Sequence, residues 1–88
     1  PHLHDEAVAR ISHLPHVVAA ALAESAADAQ VPADLLRLLI AGGFRSTTRI
    51  AASPPEMWRD ICLTNREAVL ASLASFEKAL SRFRKALE

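Results

Sequence analysis

The sequence predicts a single all-α domain. Its 88 residues include 18 alanines, two glycines and no tyrosine, a composition that favours helices over strands. Hydrophobic residues make up 51% of the chain, too large a share for a disordered segment, and the length allows one domain only. We expect a long first helix and a long last helix, with two short helices between them.

The first helix is predicted from about residue 4 to residue 28. At about 100° per residue, one stripe of this helix collects the large aliphatic side chains. These are Val8, Ile11, Leu14, Val18 and Leu22. His13 and His16 fall on the opposite side of the helix. Pro15 lies within the pattern and should kink the helix, because it removes one backbone hydrogen bond.

The second helix is predicted over residues 33–41. Pro32 precedes it and the pair Gly42-Gly43 follows it, as expected for proline at a helix start and glycine beyond a helix end. Its run of leucines leaves almost no polar face, so other parts of the domain or another chain must cover it. Residues 44–50 have neither a helical nor a strand period and are predicted to form a loop, either without regular structure or with one helical turn.

The third helix is predicted to begin at Ser53, which forms a capping box with Glu56, and to end near Thr64. Asn65 should cap the last helix, which runs to the C-terminus. Apolar residues recur along this last helix at alternating steps of four and three, which makes a heptad seam. The seam consists of Val69, Leu73, Phe76, Leu80, Phe83 and Leu87. Such a seam packs either on its own domain or on a second subunit, and its two phenylalanines favour a contact between subunits.

The charge balance excludes several classes of function. Ten Lys and Arg residues balance ten Asp and Glu residues, so no basic face indicates binding to nucleic acid or to a membrane surface. No apolar run is long enough to span a bilayer. Cys62 is the only cysteine, so an internal disulfide is impossible. A reducing, cytoplasmic compartment and a buried, inert thiol are expected.

The first sixteen residues contain four histidines, His2, His4, His13 and His16. The last two are three positions apart and project from neighbouring positions on one helix face. Zinc needs three or four convergent ligands, and the local spacing matches no standard motif, so no metal site is expected. On spacing alone, a pair of surface or core-edge histidines is the simpler interpretation.

Arg45 and Arg49 lie in the predicted loop, among hydroxyl side chains. Arginine is suited to bidentate binding of a carboxylate or a phosphate, although two solvated arginines are common in loops. Trp58 is expected to anchor the core or to line a pocket. Neither GxGxxG nor GxxxxGK[ST] occurs in the sequence, so the chain carries no nucleotide-binding motif.

Several short motifs follow one another along the chain. They are His4-Asp5, Ser12-His13-Leu14-Pro15-His16, Gly42-Gly43-Phe44-Arg45, Thr48-Arg49-Ile50-Ala51 and Pro55-Glu56-Met57-Trp58-Arg59-Asp60-Ile61. In this order and spacing, the chain resembles the C-terminal domain of prephenate dehydrogenases and their arogenate-using relatives over nearly its whole length. The resemblance implies a helical dimerisation domain of the 6-phosphogluconate-dehydrogenase C-terminal-like type over residues 1–88. It also implies a preceding Rossmann domain that binds NAD or NADP.

The resemblance implies roles for individual residues. Arg49 would hold a carboxylate of the substrate, and His13 and His16 would donate hydrogen bonds to it. Asp5 would lie at the mouth of the site and form a gating ion pair with the carboxylate-binding arginine. Three further residues, Ser12, Gly42 and Trp58, would lie near the pocket, and the heptad seam would serve the homodimer.

The activity implied by the resemblance is oxidation of prephenate to 4-hydroxyphenylpyruvate, with hydride transfer to the nicotinamide and loss of carbon dioxide, a step of tyrosine biosynthesis. The histidine that handles the ring hydroxyl belongs to the family's N-terminal domain, so no catalytic residue is expected in these 88 residues, which alone should be inactive. Arogenate as substrate and a non-enzymatic helical dimerisation module remain alternatives. A small helical enzyme of the chorismate mutase type is disfavoured, because the arginines lie mostly on solvated faces.

Overall fold

The computed structural model describes residues 2–28 and 30–88, which form helices joined by short connections and contain no strand. The helices are α1 (His2–Val8), a π-helical turn (Ala9–His13), α2 (Leu14–Ala27), α3 (Ala33–Leu39), α4 (Gly42–Thr48), a 3-10 turn (Arg49–Ala52), α5 (Pro55–Thr64) and α6 (Arg66–Leu87). The all-α prediction is confirmed. Between the long first and last segments the structure has three short helices, α3, α4 and α5, where the sequence predicted two.

The first helical segment continues through Pro15 but changes its winding just before it. Between Ala9 and His13 the backbone is π-helical, and the N–H of Leu14 donates to the carbonyl of Ala9. Pro15 then stands in the first turn of α2, where a missing N–H costs little. The predicted interruption therefore takes the form of one widened turn, which rotates the residues after it relative to an uninterrupted α-helix.

The buried side of this first segment differs from the predicted aliphatic stripe. Ile11 is 77% exposed and Leu22 is 37% exposed. Ala9 and Ala19 are fully buried instead, and His16 is buried with them. The stripe was wrong at Ile11 and Leu22, whereas Val8, Leu14 and Val18 are half-buried. The buried side differs because the π turn shifts the phase of the helix, and because alanines let neighbouring helices approach closely.

The segment after α3 is helical where a loop was predicted. Extended backbone at Ala41 separates α3 from α4, so Gly42 and Gly43 begin a helix rather than end one, and neither has a positive φ. The hydroxyls of Thr47 and Thr48 donate to backbone carbonyls four residues earlier, each at 2.8 Å. These bonds satisfy polar side chains inside a helix that lacks an apolar period, which is why the pattern missed it.

The two predicted helix caps differ in outcome. The Ser53–Glu56 capping box was wrong: Pro54 holds the cap position of α5 and no side chain caps the helix, because two consecutive prolines move the start beyond Ser53. Asn65 does stand immediately before α6, as predicted, but its side chain makes no capping bond. It reaches α1 instead, and donates to the backbone carbonyl of Asp5.

The core of the described residues is small. The domain measures 46 × 35 × 20 Å, and in such a flat body most side chains lie close to the surface. Val69 of α6 is buried, and the alanines of the first segment complete the apolar core. The far end of α6 is uncovered: Phe83 is 72% exposed and Leu87 is 90% exposed. Leu38 and Leu39 of α3 are exposed too. In the described ranges, no helix combines the length and apolarity needed to cross a membrane.

Candidate functional site

Trp58 of α5 contacts both histidines of the predicted pair. The ring of His16 stacks on the indole, with centroids 4.0 Å apart and planes 10° apart. The ring of His13 meets the indole edge-on, at 6.3 Å and 77°. The π turn and α2 carry the two histidines, and α5 carries the tryptophan, so the cluster joins segments that lie more than forty positions apart in the sequence. We call these three residues the histidine–tryptophan cluster.

The cluster contains two buried nitrogen atoms without hydrogen-bond partners among the described residues. They are Nδ1 of His16 and Nε1 of Trp58. An unpaired buried polar group costs about 1–3 kcal/mol, so such groups are rare in folded proteins and point to a ligand or a water that would bond to them. The cluster therefore has hydrogen-bonding capacity that the described residues do not use.

His16 is neutral near pH 7. Burial lowers the pKa of His16, with a smaller opposing contribution from a hydrogen bond to the backbone of Ile50. A neutral imidazole has one donor and one acceptor nitrogen, so His16 binds through directed hydrogen bonds rather than through charge. Ile50 belongs to the same 3-10 turn as Arg49. This turn therefore lies beside the cluster.

An open groove of about 360 Å³ lies along two members of the cluster, His16 and Trp58, and His13 does not line it. His16 and Trp58 form part of its wall, and Glu24, Arg59 and Cys62 contribute polar groups. Burial raises the pKa of the Cys62 thiol, which keeps it protonated at neutral pH. A protonated thiol is a poor nucleophile, so the groove is suited to binding an aromatic or polar ligand rather than to covalent chemistry.

The structure places Arg49 on the 3-10 turn, which packs against α2. Its side chain is exposed, and it belongs to none of the ion pairs between described residues. Ser12 and Gly42 are exposed as well, and a Cβ at Gly42 would meet nothing within 4 Å. Ser12, Gly42 and Arg49 line neither the groove of about 360 Å³ nor the groove that Asp5 borders.

Asp5 borders a second groove, of about 590 Å³, between the starts of α1 and α6. Its carboxylate lies 3.6 Å from Nδ1 of His4, in an exposed pair. The gating ion pair with Arg49 is not among the ion pairs of the described residues. Instead, Asp5 is connected to the cluster through its backbone, because Asn65 bonds to its carbonyl and also approaches His13.

The sequence reasoning missed Asn65 as a site residue and assigned it only a capping role. Its Nδ2 lies 2.8 Å from the carbonyl oxygen of Asp5 and 3.5 Å from Nδ1 of His13. The available signal was its position at the junction of two helical patterns. An asparagine side chain at the start of a helix that does not cap that helix can bond to another element instead.

The described residues contain neither a group of metal ligands nor the turn of a Rossmann-type dinucleotide site. They contain no group of three or more His, Cys, Asp and Glu side chains close enough to hold a metal ion. A dinucleotide needs a glycine-rich turn between a strand and a helix. The sequence has no such motif, and residues 2–28 and 30–88 contain no strand to carry one.

Comparison with known proteins identifies the fold and the family. The family model described as prephenate dehydrogenase, dimerization domain, matches residues 1–88. The prephenate dehydrogenase of Bacillus subtilis (strain 168) is 39% identical over 88 residues, which make up 100% of this chain and 24% of that protein. The chain thus spans about a quarter of the length of the curated relatives it matches.

Two crystal structures share the fold. Arogenate dehydrogenase from Synechocystis matches with a TM-score of 0.90 and 37% identity, over 99% of this chain and 32% of that chain. Prephenate dehydrogenase from A. aeolicus, in complex with hydroxyphenyl propionate and NAD+, matches with a TM-score of 0.87 and 42% identity, over 99% of this chain and 30% of that chain. Since the family model covers all 88 residues, the chain belongs to the prephenate dehydrogenase dimerization-domain family.

Proposed function

We propose that this chain is the substrate-binding and dimerisation part of an NAD- or NADP-dependent prephenate dehydrogenase. The full-length enzyme would oxidise prephenate to 4-hydroxyphenylpyruvate, with loss of carbon dioxide, in the cytoplasm. The observation that carries the proposal is the histidine–tryptophan cluster, in which His16 and Trp58 line a groove and each has a buried nitrogen without a hydrogen-bond partner. The A. aeolicus relative, crystallised with hydroxyphenyl propionate and NAD+, supports a ring-bearing carboxylate as the ligand class.

The substrate is a six-membered ring that bears two carboxylates, and the cluster is suited to both features. The indole of Trp58 offers a flat apolar surface for the ring. His13 offers a donor to an oxygen atom of the substrate, whereas neutral His16, whose one N–H donates to the backbone of Ile50, offers an acceptor nitrogen. Because both rings are held by packing against one aromatic side chain, little entropy is lost when they bind a ligand.

Arg49 supplies the positive charge that a dianionic substrate requires. Its guanidinium binds a carboxylate through two parallel hydrogen bonds. The exposure of this side chain in the single chain is compatible with a role at an edge that the Rossmann domain or a second subunit completes. Asp5 gates the entrance in this proposal, and Ser12 and Gly42 border it.

Dimerisation rests on apolar side chains that the single chain leaves uncovered. Leu80 is 56% exposed and Phe83 is 72% exposed on α6, and Leu38 on α3 is 79% exposed. Uncovered apolar surface of this kind marks a protein interface. The family description, a dimerization domain, supports a second copy of the chain as the partner.

The test is steady-state kinetics of the full-length protein with prephenate and NAD or NADP. Arg49→Ala should weaken transition-state stabilisation by about 2–5 kcal/mol, measured from kcat/KM, because a bound carboxylate loses its partner. Arg37→Ala is the matched control, since Arg37 is an exposed arginine whose ion pair among the described residues is with Asp34 on its own helix. Unchanged kinetics of Arg49→Ala would remove Arg49 from the site.

Arogenate is a second candidate substrate, favoured by the similarity to the Synechocystis arogenate dehydrogenase. The two substrates differ in side-chain chemistry, since arogenate carries an amino group where prephenate has a ketone. Comparing kcat/KM for the two substrates on the same enzyme decides between them. Absence of turnover with either substrate would instead favour a non-enzymatic dimerisation module.

A further inference from the structure

Asn65 lies where three elements meet. It directly precedes α6, it bonds to the backbone of α1, and it approaches a ring nitrogen in the π turn. We propose that Asn65 is a positioning residue that fixes the tautomer of His13, so that the proton of the neutral ring resides on Nε2. The inference rests on the proposed function, in which His13 donates a hydrogen bond to the substrate.

The orientation of the Asn65 amide follows from its bond to α1. The side-chain atom that faces Asp5 lies 2.8 Å from a backbone carbonyl oxygen. A carbonyl oxygen only accepts hydrogen bonds. The atom facing it must therefore be the amide nitrogen, because two acceptor oxygens at this distance would repel each other. This contact removes the usual ambiguity between the two ends of an asparagine side chain.

The same nitrogen determines which atom of His13 carries the proton. Nδ2 of Asn65 lies 3.5 Å from Nδ1 of His13 and has two hydrogens, of which the carbonyl of Asp5 takes one. If Nδ1 carried a proton, two N–H donors would face each other, whereas the lone pair of an unprotonated Nδ1 accepts from the amide N–H. The neutral ring therefore carries its proton on Nε2.

The second neighbour of His13 is the indole of Trp58, which meets the imidazole ring edge-on. Among the hydrogen bonds of the described residues, His13 takes part only in the contact through Nδ1. Nε2–H is therefore left for a ligand. Asn65 thus acts on the substrate through His13 and need not touch the substrate itself.

The test measures the tautomer directly, by NMR of the ring nitrogens in full-length protein with isotope-labelled histidine. In the unaltered protein, neutral His13 should show a protonated Nε2 and an unprotonated Nδ1. A protonated Nδ1 in the neutral ring would overturn the inference, whether or not any variant folds.

Asn65→Asp is the decisive variant. Aspartate and asparagine are equally good residues before a helix, so α6 should still begin at the same place, and the midpoint of thermal unfolding checks this. The carboxylate has no donor for the carbonyl of Asp5, so the variant loses the bond to α1. It accepts from His13 where the amide donated, so the proton of the neutral ring should move to Nδ1, and kcat/KM for prephenate should fall about tenfold through KM. Arg66→Gln changes the next, exposed residue and should leave both readouts unchanged.

The outcomes separate this inference from the proposed function. An unchanged tautomer in a folded Asn65→Asp protein would overturn the role of Asn65. A changed tautomer with unchanged kinetics would support that role and contradict the role of His13 in substrate binding. A folded His13→Gln variant with unaltered KM for prephenate would contradict that role independently of Asn65.

Discussion

The two halves of α6 have the same apolar period, but the apolar side chains of the first half are covered and those of the second half are exposed. Val69 in the first half is 7% exposed, whereas Phe83, two heptads later in the same register, is 72% exposed. Phe76, between them, is half-buried. The heptad pattern therefore identifies the apolar face of the helix, but not what covers that face. The first half packs within its own domain, and we assign the second half to the subunit interface.

The covered and the uncovered half of α6 are expected to serve different functions. The covered half of α6 begins directly after Asn65, which bonds to α1 and approaches His13 of the histidine–tryptophan cluster, so we expect its packing to set the geometry of the proposed site. No side-chain hydrogen bond or aromatic contact between described residues joins the uncovered half to that cluster. Stability and site geometry should thus depend on the first half, and assembly on the second.

The largest expected effect comes from Val69→Asp. Placing a charge at this buried position should lower the free energy of unfolding by more than about 4 kcal/mol, because the carboxylate loses its water and gains no partner. Chemical denaturation measures the effect. Leu70→Asp is the matched control, because Leu70 is 51% exposed and should tolerate the charge. Equal losses in both variants would contradict the assignment of the first half to the core.

The second effect concerns assembly. Phe83→Asp should raise the dissociation constant of the dimer at least tenfold, because an aromatic side chain at the centre of an interface contributes about 2 kcal/mol or more. Sedimentation of the full-length protein at several concentrations measures the constant. Ser81→Asp adds the same charge outside the seam and should leave the dimer intact. If Phe83→Asp also dimerises normally, the second half of α6 is not the interface.

The smallest expected effect is a pH dependence of the free energy of unfolding, which arises from the buried His16. Burial lowers the pKa of His16, so below the ordinary imidazole pKa of about 6.5 the unfolded chain binds a proton that the folded chain resists. Stability should therefore fall as the pH drops from about 7 to about 5, measured by the thermal midpoint.

His16→Gln should make this loss of stability on acidification smaller than in the unaltered protein. His2→Gln, which changes an exposed histidine, should leave the slope as it was. A midpoint that rises on acidification, or a slope that is identical with and without His16, would show that this ring is not held neutral by burial.

Much of the fold could be predicted from the sequence, because the strongest signals were long and periodic. The start of α6 after Asn65 and the helical character of the first segment followed from periodicity and composition. The buried face of the first segment could not be predicted, because the π turn before Pro15 shifts its phase by an amount that no residue pattern encodes. Helix α4 was missed since its threonines are satisfied by their own backbone.

The candidate site was predicted in part. The helical spacing of His13 and His16 placed them on one face, and both contact Trp58 in the structure. Their common partner was out of reach of local patterns, because Trp58 lies on another helix and only tertiary packing brings it there. The same holds for Asn65, whose contact with His13 spans 52 positions.

The most direct test of the central claim is a crystal structure of the full-length protein with hydroxyphenyl propionate and NAD+, the pair present in the A. aeolicus relative. We predict that the ligand ring lies against the indole of Trp58, with its carboxylate paired to Arg49 and Nε2 of His13 within hydrogen-bonding distance of the ligand. A ligand bound away from all three side chains, in both subunits of the assembly, would contradict the account.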